Sequence, residues 1–372
     1  MTTLSTQNQW YDVAVSSSIT TNFGYTVYWN NVIQARWTAL SGTTYTVEYR
    51  CLIRKTGGSG GTLTSSYNAY SIGGTGANTQ SGSGGTYNFP STGDYVVSTT
   101  SGTVSGASTS PTVTVTGGVV MGYYGTTWGS TSMSGSATLP AVYVKPTTPT
   151  ISGSATSATS TKVIYGTTSF GIPSSGTVYL YGSTSSTPST VQASASTTGN
   201  KTYTKSGLTA NTRYYYRSNA VNGQLSSDYS STITVVTLPA KLNSLTATTV
   251  GETSATLSYA QASDGGALTK TLEYRVGSGS WTTAGTPSSI GNLVIGNLTE
   301  NQTYTVQARL TTSAGSSETI SVTFTTGVAS RFYGSVSGQA KQVKKLYGSV
   351  NGVARKITKI YGSVNGVAKR VF

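Results

Sequence analysis

Histidine is absent from this 372-residue chain, cysteine occurs once, at Cys51, and only 9% of residues are charged. Without histidine, neither a Ser-His-Asp nor a Cys-His nucleophile can be assembled, and no His/Cys metal site can form. Nine acids spread over the whole length make a carboxylate metal site a poor expectation as well. A paired-carboxylate glycosidase could draw on Asp12, Glu48 or Asp94, but their spacing gives that idea no support. Gly57-Gly58-Ser59-Gly60-Gly61 has the spelling of a nucleophile elbow with no base to serve it. The glycines at 73–74 and 82–85 lack the Gly-Lys-Ser/Thr of a phosphate loop, so all three stretches read as loops. The chain is expected to be neither an enzyme nor a cofactor binder. One cysteine cannot close an intrachain disulfide, and Cys51 is expected to fill core space. No stretch approaches 18 consecutive apolar residues, so no membrane span is expected. Residues 1–8 lack the basic and apolar segments of a secretory signal.

A helical 3.6 period is missing too. What takes its place is Gly, Ser, Thr and 26 tyrosines; β-branched Thr and aromatic Tyr favour strands, so the expected fold class is all-β. The length suits several domains with sizeable cores. Residues 1–146 carry short strand-like runs, including Tyr25-Thr26-Val27-Tyr28-Trp29, Ala35-Arg36-Trp37-Thr38-Ala39 and the longer run from Tyr45 to Ile53. They are separated by turns and by a Gly/Ser-rich insert from Gly57 to Phe89, which suggests an N-terminal β-sandwich. Its Tyr and Trp side chains either fill the core or stack on sugars. The string around Trp37-Thr38-Ala39 and Trp128-Gly129-Ser130-Thr131 loosely resembles the N-terminal sandwich of phage tail-tip and baseplate proteins.

Two prolines in the polar segment 145–149 predict a semi-rigid, cleavable linker, and Pro239 marks a second boundary at 238–240. The units between and beyond, 147–239 and 240–328, align with one another. Gly207-Leu208-Thr209-Ala210-Asn211-Thr212-Arg213-Tyr214 matches Asn297-Leu298-Thr299-Glu300-Asn301-Gln302-Thr303-Tyr304, and an alternating strand and a glycine turn follow each. A Leu six residues before a Tyr that opens a strand resembles the tyrosine corner of fibronectin type III domains. The resemblance implies two fibronectin type III-like β-sandwiches, with Tyr214 and Tyr304 bonding back to the loop backbone. Tyr165 and Tyr259 stand near the place of that family's strand-B tryptophan.

Residues 329–372 repeat one unit at a fixed spacing. Tyr333-Gly334-Ser335-Val336-Ser337-Gly338 returns as Tyr347-Gly348-Ser349-Val350-Asn351-Gly352 and as Tyr361-Gly362-Ser363-Val364-Asn365-Gly366. Asn-Gly between short β-prone runs is a hairpin signal, because both central turn residues need positive φ. Pairing about Asn351-Gly352 sets Leu346, Val350, Val353 and Ile357 on one face and Tyr347 opposite Lys356. The third copy sets Ile360, Val364, Val367 and Val371 together and Tyr361 opposite Arg370. In the first copy Gln342 stands where the cation would be. This tip carries nine of the 23 basic residues and no acid, within a chain of net charge +14. Lys341, Lys344, Lys345, Arg355, Lys356, Lys359, Lys369 and Arg370, with Tyr347 and Tyr361, are the candidate residues for an anionic partner. Two alternatives stand beside that reading: the cations guard strand edges against aggregation, and the tyrosines cover cationic stems.

Repeats of this Tyr-Gly-Ser-Val-Asn-Gly type resemble those at the ends of phage minor tail and fibre-like proteins, and fibronectin type III domains are frequent on phage particles. The resemblance implies a non-enzymatic virion component, made in the host cytoplasm and released by lysis. It points to the tail or tail tip and to host-surface attachment. The partners it implies are other virion proteins, further copies of the chain in a trimer or ring, and a host surface polysaccharide or anionic wall polymer; nucleic acid is disfavoured. A head decoration or major tail structural protein is the alternative, and an exported bacterial adhesin is a third.

Overall fold

The computed structural model describes residues 1–22, 26–58, 63–123, 126–328, 332–336, 339–343, 347–350, 353–356, 361–364 and 367–370. Every regular element among them is a strand. The first unit contains β1 (Thr2–Thr3), β2 (Tyr11–Val15), β3 (Ile19–Asn22), β4 (Thr26–Ser41), β5 (Thr44–Gly58) and β6 (Leu63–Gly74). It continues with β7 (Ala77–Gly82), β8 (Thr86–Phe89), β9 (Gly93–Ser105), β10 (Thr112–Tyr123), β11 (Thr126–Gly129) and β12 (Met133–Thr138). They form one twelve-stranded sheet in the order β1-β12-β10-β6-β7-β9-β5-β4-β2, with β3, β8 and β11 pairing to β4, β6 and β10. The sheet folds over, so that β10 packs across β4 and β5 and its two ends meet at β2 and β12. The sandwich layers thus belong to one hydrogen-bonded sheet. Between them lie Trp29, Ile33, Tyr45, Val47, Tyr49, Cys51, Val113, Val115 and Met121. Burial pushes the Cys51 thiol up to about 12, which keeps it protonated.

Two expectations change here. The runs around Trp29 and Trp37 are parts of the single strand β4, because Asn30 and Asn31 between them continue the ladder with β5. The Gly/Ser-rich insert, whose glycine stretches 73–74 and 82–85 read as loops, supplies β6, β7 and β8. Its glycines are there for close approach: a Cβ at Gly74 would sit 2.6 Å from the Tyr49 ring, and one at Gly73 2.6 Å from Thr79 Oγ1. The missing side chain at Gly74 leaves room for the Tyr49 ring, whose hydroxyl donates to Thr75 O at 2.8 Å.

The second unit divides three strands on four. β13 (Thr150–Ser157), β14 (Ser160–Gly166) and β17 (Lys201–Lys205) make one sheet. β16 (Val191–Ala195), β15 (Thr177–Ser183), β18 (Arg213–Val221) and β19 (Ile233–Val236) make the other. The third unit repeats this with a two-residue strand added to the larger sheet. β20 (Ser244–Val250), β21 (Ala255–Ala260) and β24 (Ile290–Ile295) face β23 (Thr282–Gly285), β22 (Thr271–Val276), β25 (Thr303–Thr312), β26 (Gly315–Ser316) and β27 (Ile320–Thr325). Both are fibronectin type III-like sandwiches, each with its own apolar core. Tyr165 and Tyr259 are buried in those cores.

Neither expected linker hangs free. Val144 and Ile172 exchange two backbone bonds of 3.0 Å, Thr147 N–H donates to Ser169 O, and Pro146 and Pro149 are buried. At the second boundary Asn211 N–H donates to Leu238 O at 3.0 Å, and Leu238 N–H to Ser157 O at 3.2 Å. Proline-rich spelling marks where the chain passes between units, but buried prolines and paired carbonyls leave it little slack.

The tip contains three two-stranded ribbons: β28 (Phe332–Val336) with β29 (Gln339–Val343), β30 (Tyr347–Val350) with β31 (Val353–Lys356), and β32 (Tyr361–Val364) with β33 (Val367–Arg370).

Candidate functional site

The repeat spacing sets the register of the three ribbons. Tyr347 is paired with Lys356 and Tyr361 with Arg370, while Tyr333 meets Gln342. The glycine after each tyrosine is paired with a cation in every copy: Gly334 with Lys341, Gly348 with Arg355, Gly362 with Lys369. In the second and third ribbons the paired cations are sequence neighbours, Arg355-Lys356 and Lys369-Arg370, whereas in the first Lys341 is followed by Gln342. Lys344, Lys345 and Lys359 lie outside the described residues, as do the Asn351-Gly352 and Asn365-Gly366 turns and Leu346, Ile357, Ile360 and Val371.

The two aligned motifs of the sandwiches make the same structure twice. Thr209 N–H donates to Tyr214 Oη at 3.0 Å, and Thr299 N–H to Tyr304 Oη at 2.8 Å. That bond draws the Tyr304 phenol below its ordinary pKa. Gly207, Asn211, Asn297 and Asn301 all have positive φ, the conformation that glycine and asparagine tolerate best. A partner that sequence alignment alone did not single out completes each corner. Thr237 Oγ1 donates to Thr209 O at 2.7 Å, and Thr326 Oγ1 to Thr299 O at 2.6 Å. Leu298, 8% exposed, is part of the third core. Leu298→Ala is expected to cost about 2–5 kcal/mol through the cavity it leaves. Tyr304→Phe removes only an acceptor at the surface and is expected to shift melting less. Calorimetric melts of the two variants check this order, and a larger loss in Tyr304→Phe would contradict it.

The outer sheet faces hold an arrangement that linear spacing conceals. On the first unit, Arg36 and Arg50 lie over the Trp10 ring, at 4.5 and 4.2 Å from its centroid. Arg36 Nε donates to Glu48 Oε2 at 2.8 Å and Arg50 Nε to Gln34 Oε1 at 2.6 Å, each across the β4–β5 ladder. The third unit builds the same square on β22 and β25. Arg275 and Arg309 lie over Trp281 at 4.8 and 4.0 Å; Arg309 Nε bonds Glu273 at 2.8 Å and Arg275 Nε bonds Gln307 at 2.7 Å. A planar guanidinium stacks on a ring best when its edge is held by an acceptor, and the cross-strand Glu and Gln supply those acceptors. The second unit has Arg217 at 3.9 Å over the Tyr229 ring, with Tyr181 as its cross-strand neighbour.

Ion pairs also engage the carboxylates of the first unit. Asp12 and Asp94 both bind Arg54, at 2.6 Å each, and Glu48 binds Arg36 at 2.7 Å. Burial acts to raise the Asp12 carboxyl, but hydrogen bonds from Arg54 and Gln34 outweigh it and hold the group below its usual value. All three acids of the first unit are thus ion-paired in place.

No protein-family model matches the chain, and no curated protein matches it. Among solved structures, the chain is similar to the FN1-FN3 domains of chicken CNTN1, with a TM-score of 0.26 and 11% identity over 78% of this chain and 97% of that one. It is also similar to a two-domain fibronectin type III segment of chicken tenascin, with a TM-score of 0.31 and 16% identity over 48% of this chain and 98% of that one. The fibronectin type III character of the second and third units rests on their own strand order.

Proposed function

We propose that this chain is a non-enzymatic component of a phage virion, placed at the tail or tail tip, and that its basic ribbons contribute to attachment at the host cell surface. The observation that carries this reading is the repeated register in which Tyr347 meets Lys356 and Tyr361 meets Arg370. A ring beside a cation on a narrow ribbon suits a polymer that offers both anionic groups and sugar faces, such as an anionic wall polymer. Arg355-Lys356 and Lys369-Arg370 put two cations together in each of those two ribbons. Residues 1–330 carry 14 basic and nine acidic groups and act as a nearly neutral stalk. Copies would be arranged by virion symmetry, as a trimer or a ring, in contact with other virion proteins.

The test compares binding to host cells by the full chain and by a chain ending at Ser330. Among the described residues the ribbons pair only with themselves, so the truncation leaves every other sheet complete. If the tip engages several anionic groups, its contribution is expected to fall steeply, by about tenfold or more, between low and high salt. Truncation is expected to remove that salt-sensitive component. Equal, salt-insensitive binding by both chains would contradict the reading. A second reading, a head decoration or major tail structural protein, draws on the same ribbons. Each two-stranded ribbon has open edges on which a neighbouring subunit could add a strand. Particles that fail to assemble with the truncated chain, at unchanged host binding, would favour it.

A further inference from the structure

Of the three outer faces that carry a stacked guanidinium, the middle one is incomplete. On the first and third units every stacked arginine has its Nε held by a cross-strand Glu or Gln. On the second unit the corresponding square is Tyr179 and Tyr181 on β15 against Asn219 and Arg217 on β18. None of the other three side chains holds the guanidinium edge, and Arg217 Nε is buried without a hydrogen-bond partner. Asn219, only 7% exposed, has its Oδ1 in the same state. A donor lacking an acceptor and an acceptor lacking a donor therefore lie two residues apart on one strand face. Leaving such groups unpaired costs a fold about 1–3 kcal/mol each, a cost that a ligand hydroxyl reaching them would relieve.

The surroundings say what that partner is. Tyr179 and Tyr181 stand with ring centroids 6.4 Å apart, and Tyr181 meets the edge of Tyr229 at 5.6 Å. Tyr229 is 45% exposed and Val191, beside Tyr181, 50% exposed. An open groove of about 420 Å³ runs next to Tyr179, floored by Gly176, Thr177, Val221 and Gly223. The nearby acid Asp228 is already bound to Lys145, at 2.7 Å. Phenol rings offer faces to apolar C–H surfaces, and a hydroxyl both donates and accepts, which answers Asn219 and Arg217 at once. Adjacent hydroxyls on a ring with an apolar face describe a pyranose sugar. We propose that the Tyr179–Tyr181–Tyr229 face of the second unit binds a neutral polysaccharide, with Arg217 and Asn219 bonding sugar hydroxyls. This site is separate from the basic tip and goes beyond the reading of it given above.

Affinity electrophoresis of the full chain through native gels containing dextran, laminarin, mannan or galactomannan tests the proposal. At least one of the four is expected to retard the chain, and retardation is expected to persist at high salt. Tyr229→Ala and Asn219→Leu are each expected to weaken it by about tenfold or more, the loss of one good stacking or hydrogen-bonding contact. Asn219→Leu is also expected to leave the melting temperature unchanged or raised, because it removes an unpaired buried group. A purely structural asparagine would melt lower. Lys356→Ala/Arg370→Ala, which weakens the tip, is expected to keep full retardation, so failure of the tip reading and failure of this one are distinguishable. No retardation in any of the four gels, retardation unaltered in Tyr229→Ala and Asn219→Leu, or retardation lost with the tip variant would overturn the proposal.

Discussion

Asn31→Leu is expected to lower the melting temperature of the first unit on the order of 10 °C, leaving the transitions of the other two units in place. Asn31 is fully buried in β4 and reaches across the sandwich to the opposite layer. Its Nδ2 donates to Val119 O and Ser130 O, both at 2.8 Å, and its Oδ1 accepts from Val119 N–H at 3.1 Å. Leucine has nearly the same volume, so packing changes little. What is lost is the partner of three backbone groups, each worth about 1–3 kcal/mol when buried unpaired. Asn31→Asp is expected to fail as well: it can still accept from Val119 N–H, but it sets a carboxylate against two carbonyl oxygens. Differential scanning calorimetry reads both variants. A first transition unmoved in either would mean that water replaces the amide and that the layers are joined by apolar packing alone.

Asn211→Ala is expected to open the boundary between the second and third units and to speed proteolysis there on the order of a hundredfold. The Asn211 amide is fully buried against the third unit, where Nδ2 donates to Leu268 O at 2.9 Å and Oδ1 accepts from Leu268 N–H at 3.0 Å. Gly265 N–H donates to Ala210 O at 2.9 Å, Ala267 N–H to Asn211 O at 2.8 Å, and an Arg213 guanidinium N–H to Ala267 O at 3.1 Å. Alanine removes the two side-chain bonds, about 1 kcal/mol each, and adds the strain of a left-handed φ of 44°, about another 1 kcal/mol. Together they account for the hundredfold. The third unit provides its own control. Asn301 holds the same turn position with a φ of 53° but is exposed. Asn301→Ala should therefore carry the backbone strain without the junction. Asn211→Gly should carry the lost bonds without the strain. Equal protease sensitivity in Asn211→Ala and Asn301→Ala would sink the idea that Asn211 joins the two units.

The alanine comparison also shows where reading the sequence stops. Asn211 and Asn301 occupy one motif, and their shared left-handed turn follows from the side chain and its immediate neighbours. That among the described residues Asn211 alone of the two binds another unit depends on where 264–268 of the next unit falls, which no local preference encodes.

The same division runs through the molecule. Ribbon register is settled by residues within 14 positions of each other, because a two-residue connection and side-chain alternation leave a single pairing that keeps Val350 beside Val353 and Val364 beside Val367. The tyrosine corners are equally local, five residues from donor to acceptor. By contrast, the Gly/Ser-rich insert became strands because Gly73 and Gly74 make room for Thr79 and the Tyr49 ring, a need invisible until β5 and β6 share a core. The Trp10 and Trp281 squares bring together side chains 12 to 36 residues apart across their ladders. Asn31 finds Val119 at a separation of 88. The sequence by itself therefore determined turns, strand character and the register of each ribbon, since those are fixed by backbone sterics and nearest neighbours. Tertiary structure alone decided which polar groups are paired, which guanidinium is stacked and which face is left unsatisfied. Such contacts form only after distant strands have been closed onto one another, at an entropic cost that core burial offsets.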